Sequence, residues 1–134
     1  MREIWNRIDA HYDGYAKKAG LNTASIMVLD CLYRVDFPYT QKALCEKLLL
    51  PKQFVNTIVN AFREQGHVAL REAKDRRNKE IRLTPSGKAY AQAVVKPLDD
   101  AEEEAWASLT DPERETLARA LQKFEQSLRH ALER

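Results

Sequence analysis

Six side chains along one stretch of this sequence have the types and spacing to hydrogen-bond the edge of a nucleic-acid base. They are Lys52, Gln53, Asn56, Thr57, Asn60 and Arg63, within PKQFVNTIVNAFREQG. Asn and Gln present paired donors and acceptors that match base edges, while Lys and Arg neutralise phosphate. No acid interrupts the set before Glu64. A second group lies just downstream in AKDRRNK, where Lys74, Arg76, Arg77 and Lys79 stand against the single acid Asp75. Cations there would release counterions from a phosphate backbone, and Arg suits the strong negative potential of a narrow minor groove.

Both groups need elements to hold them. Val55, Ile58, Val59 and Phe62 recur at i, i+3, i+4 and i+7, which predicts a half-buried helix with the polar set on its opposite face. Pro51 suits the first turn of that helix, where a missing N–H costs nothing, and Gly66 is placed to end it. Val68 and Leu70, then Ile81 and Leu83, alternate with period 2 and predict two short strands flanking the basic loop. A hairpin with a cationic tip directly after a polar-faced helix is the layout of a winged helix-turn-helix.

Upstream, residues 3–19 read as a helix with Ile4, Ile8, Tyr12, Tyr15, Ala16 and Ala19 on one side, Trp5 widening the stripe and Gly20 closing it. Asn22 or Thr23 can cap a second helix over about 24–35, with Val28, Leu29, Leu32 and Tyr33 inward. The segment Asp36-Phe37-Pro38-Tyr39 reads as a connector, because proline disfavours helix at the residue before it. Thr40 caps a short third helix that buries Ala43, Leu44 and Leu48. The turn Leu49-Leu50 then leads into the polar-faced helix, giving a helix-turn-helix. Thr84 and Pro85 start a further helix running from Gly87 to about Ser108, in which Pro97 is expected to introduce a kink. Thr110 and Glu113 form a capping box for the last helix. Its Leu117, Leu121, Phe124, Leu128 and Leu132 make the narrow seam of a helix that packs on other helices. The first and last helices either fold back on their own core or pair across a two-fold axis. Pairing is the stronger expectation, since symmetry doubles the few base contacts one helix can make.

At 134 residues, with 44% hydrophobic and 31% charged residues, the chain has the size and composition of one globular domain. Its net charge of +2 is too small to announce a polyanionic partner, but the distribution is informative. Lys52 to Lys79 holds seven Lys/Arg against three acids, whereas Asp99 to Glu115 holds eight acids and one Arg. One region is therefore suited to a polyanion and another is not. No run approaches the ~20 apolar residues of a membrane span, and MREIWNRIDAHYDGY lacks the apolar core of a signal peptide. A reduced cytoplasmic setting is the default for Cys31 and Cys45, which lack CxxC spacing.

The order of elements and several motifs resemble the MarR family of winged-helix transcription regulators, over nearly the whole chain. The most specific part is Gly66-His67-Val68, Arg71, Asp75-Arg76-Arg77 and then Ile81-Arg82-Leu83-Thr84-Pro85-Ser86-Gly87. The family pattern there is a Gly-Leu-Val-x-Arg strand, a D-x-R wing and an L-T-x-x-G helix start. The resemblance implies a mainly α fold with a small β-hairpin wing and long N- and C-terminal dimerisation helices. It is read as a single domain over 1–134, with dimerisation helices at 1–20 and 87–134 and a DNA-binding core at 21–86. It implies a homodimeric regulator of double-stranded DNA with a pseudo-palindromic operator, usually a repressor, released by small phenolic or lipophilic ligands, metals or thiol oxidation. Lys52 to Gln65 would enter the major groove. Gln53, Asn56, Thr57 and Asn60 fall on the reading face, with Lys52 and Arg63 toward phosphate. Asp75 falls where the family's acid orients the wing arginine, here Arg77. Three positions depart from the pattern: His67 for Leu, Pro51 for a small polar residue, and Phe54 for Ser or Thr.

Other chemistries fare worse. His11, His67 and His130 have no ligand spacing, so no metal is expected, and no cofactor motif is present. Cys31 is expected to be a small core residue rather than a redox sensor, since the thiol-oxidised branch places its cysteine in the first helix. Tyr12, Tyr15, Tyr33, Tyr90 and Trp106 could line an apolar effector cleft, although aromatic residues at helical spacing are more often core. With no Gly-rich phosphate loop, GxSxG or metal-ligand set, an enzyme is not expected. The rival from another class is a winged-helix module that binds an acidic protein; the base-reading residue types on the helix argue against it. An activator of the same fold is equally compatible with these residues.

Overall fold

The computed structural model describes residues 1–72 and 79–134. Its elements are α1 (Arg2–Lys18), α2 (Thr23–Tyr33), β1 (Tyr39–Thr40), α3 (Gln41–Leu48), α4 (Lys52–Glu64), β2 (Val68–Glu72), β3 (Lys79–Leu83), α5 (Pro85–Ala107) and α6 (Asp111–Leu132). The fold is thus mostly helical with one small antiparallel sheet, and its contacts separate into two compact units, Met1–Pro97 and Leu98–Arg134.

In the first unit the helices start and stop where local chemistry dictates. The Asn22 side chain accepts from Ser25 N–H at 2.8 Å, so Asn22 rather than Thr23 caps α2. Thr40 caps α3 by accepting from Ala43 N–H at 3.1 Å. At the end of α4, Gly66 takes φ 81°, Gly66 N–H bonds Arg63 O and His67 N–H bonds Phe62 O. That is a Schellman motif, and it turns the chain from α4 into the hairpin. Pro51 departs from expectation. It is the residue before the first turn, with ψ 144°, and supplies no side-chain cap, although its carbonyl accepts from Val55 N–H.

The core is built from α2, α3, α4, the sheet and the start of α5, which contributes Ala91. Val28, Leu29, Leu44, Val55, Val59 and Ile81 are all essentially inaccessible, with Ile58, Phe62, Val68 and Leu83 nearly so. The α4 stripe of Val55, Ile58, Val59 and Phe62 is therefore the buried one. In the hairpin Val68 pairs with Leu83 and Leu70 with Ile81, so the apolar residues of both strands share a face. Cys31 also belongs to this core.

One further feature differs from the sequence expectations. The connector before Thr40 contains β1, which adds to the outer edge of β3 with Tyr39 opposite Ile81 and gives the order β1-β3-β2. On α1 only Ala16 is buried, while Ile4, Trp5 and Ile8 are between 45% and 49% exposed. Within the second unit, Thr110 and Glu113 make the capping box that opens α6, and the backbone N–H of Thr110 lowers the pKa of the Glu113 carboxyl. Arg114 reaches back to the carbonyls of Trp106 and Leu109 and to the Asp111 carboxylate, fixing the α5–α6 corner.

The α3–α4 turn carries one backbone cost. Leu49 is left-handed (φ 54°, ψ 40°) and 88% exposed, so its side chain gains little packing to offset the strain. A non-glycine residue there costs roughly 1 kcal/mol or more, and glycine's extra unfolded-state entropy recovers part of that. Leu49→Gly is therefore expected to stabilise the protein by up to about 1 kcal/mol, seen as a raised midpoint in urea unfolding.

Candidate nucleic-acid interface

The buried stripe of α4 fixes what its other side presents. With Val55, Ile58, Val59 and Phe62 inward, Lys52, Gln53, Asn56, Thr57, Asn60 and Arg63 are all solvent-exposed along one helix. Gln53 and Glu64 lie at the pole opposite the core, with Asn60 and Thr57 on either side of it. Lys52, Asn56 and Arg63 fall on one flank of it. The Thr57 hydroxyl donates to Gln53 O at 3.0 Å. Phe54 does not tuck under the turn: it is 54% exposed beside the polar set.

The hairpin follows α4 after the Schellman turn, and its outward positions carry further cations. Lys79, at the start of β3, is exposed. Ala69, Arg71 and Arg82 face away from the core, and Arg82 also donates to Asp36 O at 3.3 Å. Arg71 and Arg82 were absent from the candidate set, yet the same period 2 that placed Ile81 inward places them outward. Lys74, Asp75, Arg76 and Arg77 lie outside the described residues.

The base of the hairpin is locked to α5. Thr84 N–H bonds His67 O at 3.0 Å, and the hydroxyls of Thr84 and Ser86 donate to Gly66 O at 2.7 and 3.2 Å. Gly87 N–H bonds the Thr84 hydroxyl at 3.0 Å. His67 stacks on Tyr90 with ring centroids 4.1 Å apart and planes within 3°, and Tyr90 meets Phe62 edge-on at 6.3 Å. His67 thus has a structural role as the partner of the Tyr90 ring, with Nδ1 buried and without a hydrogen-bond partner among the described residues.

The aromatic candidates are placed individually. Tyr12 is half-buried. Tyr15 donates its hydroxyl to Val94 O at 2.5 Å, and burial raises its phenol pKa. Tyr33 and Tyr90 pack against the core, and burial raises the pKa of Tyr90. Trp106 belongs to the second unit and is 49% exposed. A small pocket in the first unit is lined by Leu32, Phe37, Ile81, Arg82 and Lys88 among others, and by none of the five aromatic candidates. The pKa of the Tyr39 phenol is raised, first by its hydrogen bond with Cys31 and then by burial. Cys31 and Cys45 are free thiols. No helix among the described residues is long and apolar enough to cross a membrane.

A helix-turn-helix followed by a hairpin and framed by long helices defines a winged-helix protein. The sequence profile of the MarR family matches residues 19–78. Over 131 residues the chain is 32% identical to YwoH, an uncharacterised HTH-type transcriptional regulator of Bacillus subtilis (strain 168), covering 92% of this chain and 94% of that protein. Among solved structures it is similar to NMB1585, a MarR family regulator from Neisseria meningitidis. That match has a TM-score of 0.81 at 27% identity and covers 97% of this chain and 92% of the other. The fold is shared with Staphylococcus aureus MepR in its complex with DNA, at TM-score 0.79 and 22% identity over 95% of this chain and 94% of MepR. Similar too is Bordetella bronchiseptica BpsR, whose DNA binding is regulated by 6-hydroxynicotinic acid, with TM-score 0.75 and 20% identity over 92% of this chain and 89% of BpsR. The chain belongs to the MarR family of winged helix-turn-helix transcription regulators, and its family is one of regulators rather than enzymes.

Proposed function

We propose that this protein is a homodimeric, sequence-specific regulator of transcription that binds double-stranded DNA at a pseudo-palindromic operator in the cytoplasm. The observation that carries this is the exposed face of α4, on which Lys52, Gln53, Asn56, Thr57, Asn60 and Arg63 stand opposite a fully buried stripe. Asn56, Thr57, Asn60 and Gln53 would meet base edges. Lys52 and Arg63 would meet phosphates, joined by Lys74, Arg76, Arg77 and Lys79 of the wing, with Asp75 orienting Arg77. Residues 21–86 form the DNA-binding core in this scheme, and 1–20 and 87–134 the dimerisation helices. Exposure of Leu117, Leu121, Leu128 and Leu132 on α6, at 37% to 75%, supports the pairing of terminal helices.

Repression is the proposed mode, with release by a small-molecule effector that shifts the spacing of the two recognition helices. MepR in complex with DNA and the regulation of BpsR by 6-hydroxynicotinic acid support this by analogy of fold. Tyr12, Tyr15, Tyr33 and Tyr90 are the proposed effector contacts of the first unit, and Trp106 that of the second. Fluorescence anisotropy with the gene's own upstream duplex and a scrambled duplex, at two salt concentrations, tests the DNA-binding proposal. Arg77→Ala is expected to weaken both complexes alike and to reduce the slope of log affinity against log salt by about 1. Asn56→Ala is expected to cost about 1–3 kcal/mol on the specific duplex alone and to relax preference at one base pair per half-site. Equal weak binding of the wild-type protein to both duplexes, with no salt dependence, would instead favour an acidic protein as the partner of the wing.

A further inference from the structure

The exposed face of α4 is chemically two-sided. One flank of its pole carries Lys52, Asn56 and Arg63, and the other carries Phe54, Thr57 and Ala61 at i, i+3 and i+7. All three of the latter are exposed, Phe54 by 54%. The Thr57 hydroxyl proton is already committed to Gln53 O at 3.0 Å, which leaves Thr57 a methyl group and an acceptor lone pair to offer a ligand. The second flank is thus an apolar strip running alongside base-reading amides.

A single exposed phenylalanine needs no explanation, since many surface positions are apolar. A continuous apolar strip on the helix that meets DNA is different. In the major groove the C5-methyl of thymine is the apolar group that the bases present, and Phe, Thr and Ala are the side chains that contact it. The opposite flank has the charges to contact phosphate, so the helix can lie in the groove with each flank against its complement. We propose that Phe54, Thr57 and Ala61 form a specificity strip that reads thymine methyl groups in each half-site. This rests on the DNA-binding function proposed above.

The geometry limits where those thymines stand. A rise of about 1.5 Å per residue puts Phe54 and Thr57 about 4.5 Å apart along the axis, and Phe54 and Ala61 about 10 Å apart. Successive bases on one strand are about 3.4 Å apart. The strip therefore spans a window of about four base pairs, with thymines at two or more positions within it.

The test begins with the full-length protein and a library of randomised duplexes, from which bound sequences are enriched. Enriched half-sites are expected to share thymines within that window. Each is then replaced by uracil, which pairs identically and lacks only the methyl. Uracil at a contacted position is expected to weaken wild-type binding about fourfold per half-site, and about 15-fold when both half-sites are changed. Phe54→Ser should weaken binding to the thymine duplex and respond to uracil by less than about twofold at the position Phe54 reads. Arg63→Ala should weaken both duplexes and leave the thymine-to-uracil ratio intact. Phe54 is about half exposed, so its variant should lose only a few degrees in melting temperature and stay folded under the binding conditions, and the lost response to uracil separates a recognition role from a folding one. Indifference of the wild-type protein to uracil at every position would overturn the strip while leaving DNA binding standing. So would an unchanged ratio in Phe54→Ser. Failure to enrich any sequence would overturn the DNA-binding proposal and the strip together.

Discussion

Gly87→Ala is expected to destabilise the protein by about 3 kcal/mol or more, for a reason that backbone torsions alone do not reveal. Gly87 is buried in the first turn of α5, at an ordinary helical position. A Cβ there would lie 1.9 Å from the carbonyl oxygen and 2.7 Å from the carbonyl carbon of His67. Both obstacles are backbone, so no rotamer change relieves the clash. Either α5 or the start of β2 must withdraw, and each is held by the bonds from Thr84 and Ser86 to the Gly66 and His67 carbonyls. The stacked His67 and Tyr90 rings would separate with them. At a fixed protein concentration, a loss of that size should lower the melting temperature by roughly 10 °C. A shift under about 2 °C would mean that the junction yields without cost. Ser86→Ala removes the hydroxyl's contacts with Gly66 O and the Thr84 hydroxyl and introduces no clash, so its cost should stay at about 1 kcal/mol.

The same junction illustrates which parts of the molecule were readable in advance. Caps and stops depend on neighbours within a few residues. Thr40, Thr110 with Glu113, and Gly66 could therefore be placed from sequence. The α4 stripe was readable because burial on one side of a long helix imposes its own period. The β1 strand was not, since two residues cannot show a period and its partner β3 lies some forty positions away. Nor was the role of His67, which depends on an aromatic ring that only the return of α5 brings near. Of the candidate interface, the α4 set was legible as a face. Its two-sidedness was not, because it depends on how far Phe54 stays out of the core and where the Thr57 hydroxyl goes. Amphipathic patterns mislead in one respect. Ile4 and Ile8 announce an apolar face on α1 but not what covers it, and in this chain both are about half exposed.

That exposure leads to the second large effect. Replacing Leu121 and Leu128 together by glutamate is expected to convert a dimer into a monomer, as read by sedimentation equilibrium or light scattering at micromolar protein. Both leucines lie on α6, at 42% and 45% exposure, in the seam that continues through Leu117 and Leu132. If the seam packs against a second copy, each leucine contributes on the order of 1 kcal/mol of apolar burial, and the dimer contains four of them. Burying four carboxylates in their place adds several kcal/mol more, so the dissociation constant should rise by about a thousandfold or more. In the chain by itself these positions are already wet, and glutamate is a good helix former, so α6 should keep its helicity. DNA binding should fall with dimerisation, because one recognition helix then acts alone. The competing arrangement, in which the terminal helices are covered by their own chain, makes the opposite prediction. There the variant would melt earlier, with no change in mass. A variant that remains dimeric and binds DNA normally would place the subunit contact elsewhere. It would leave the apolar stripe of Ile4 and Ile8 on α1 as the next surface to charge.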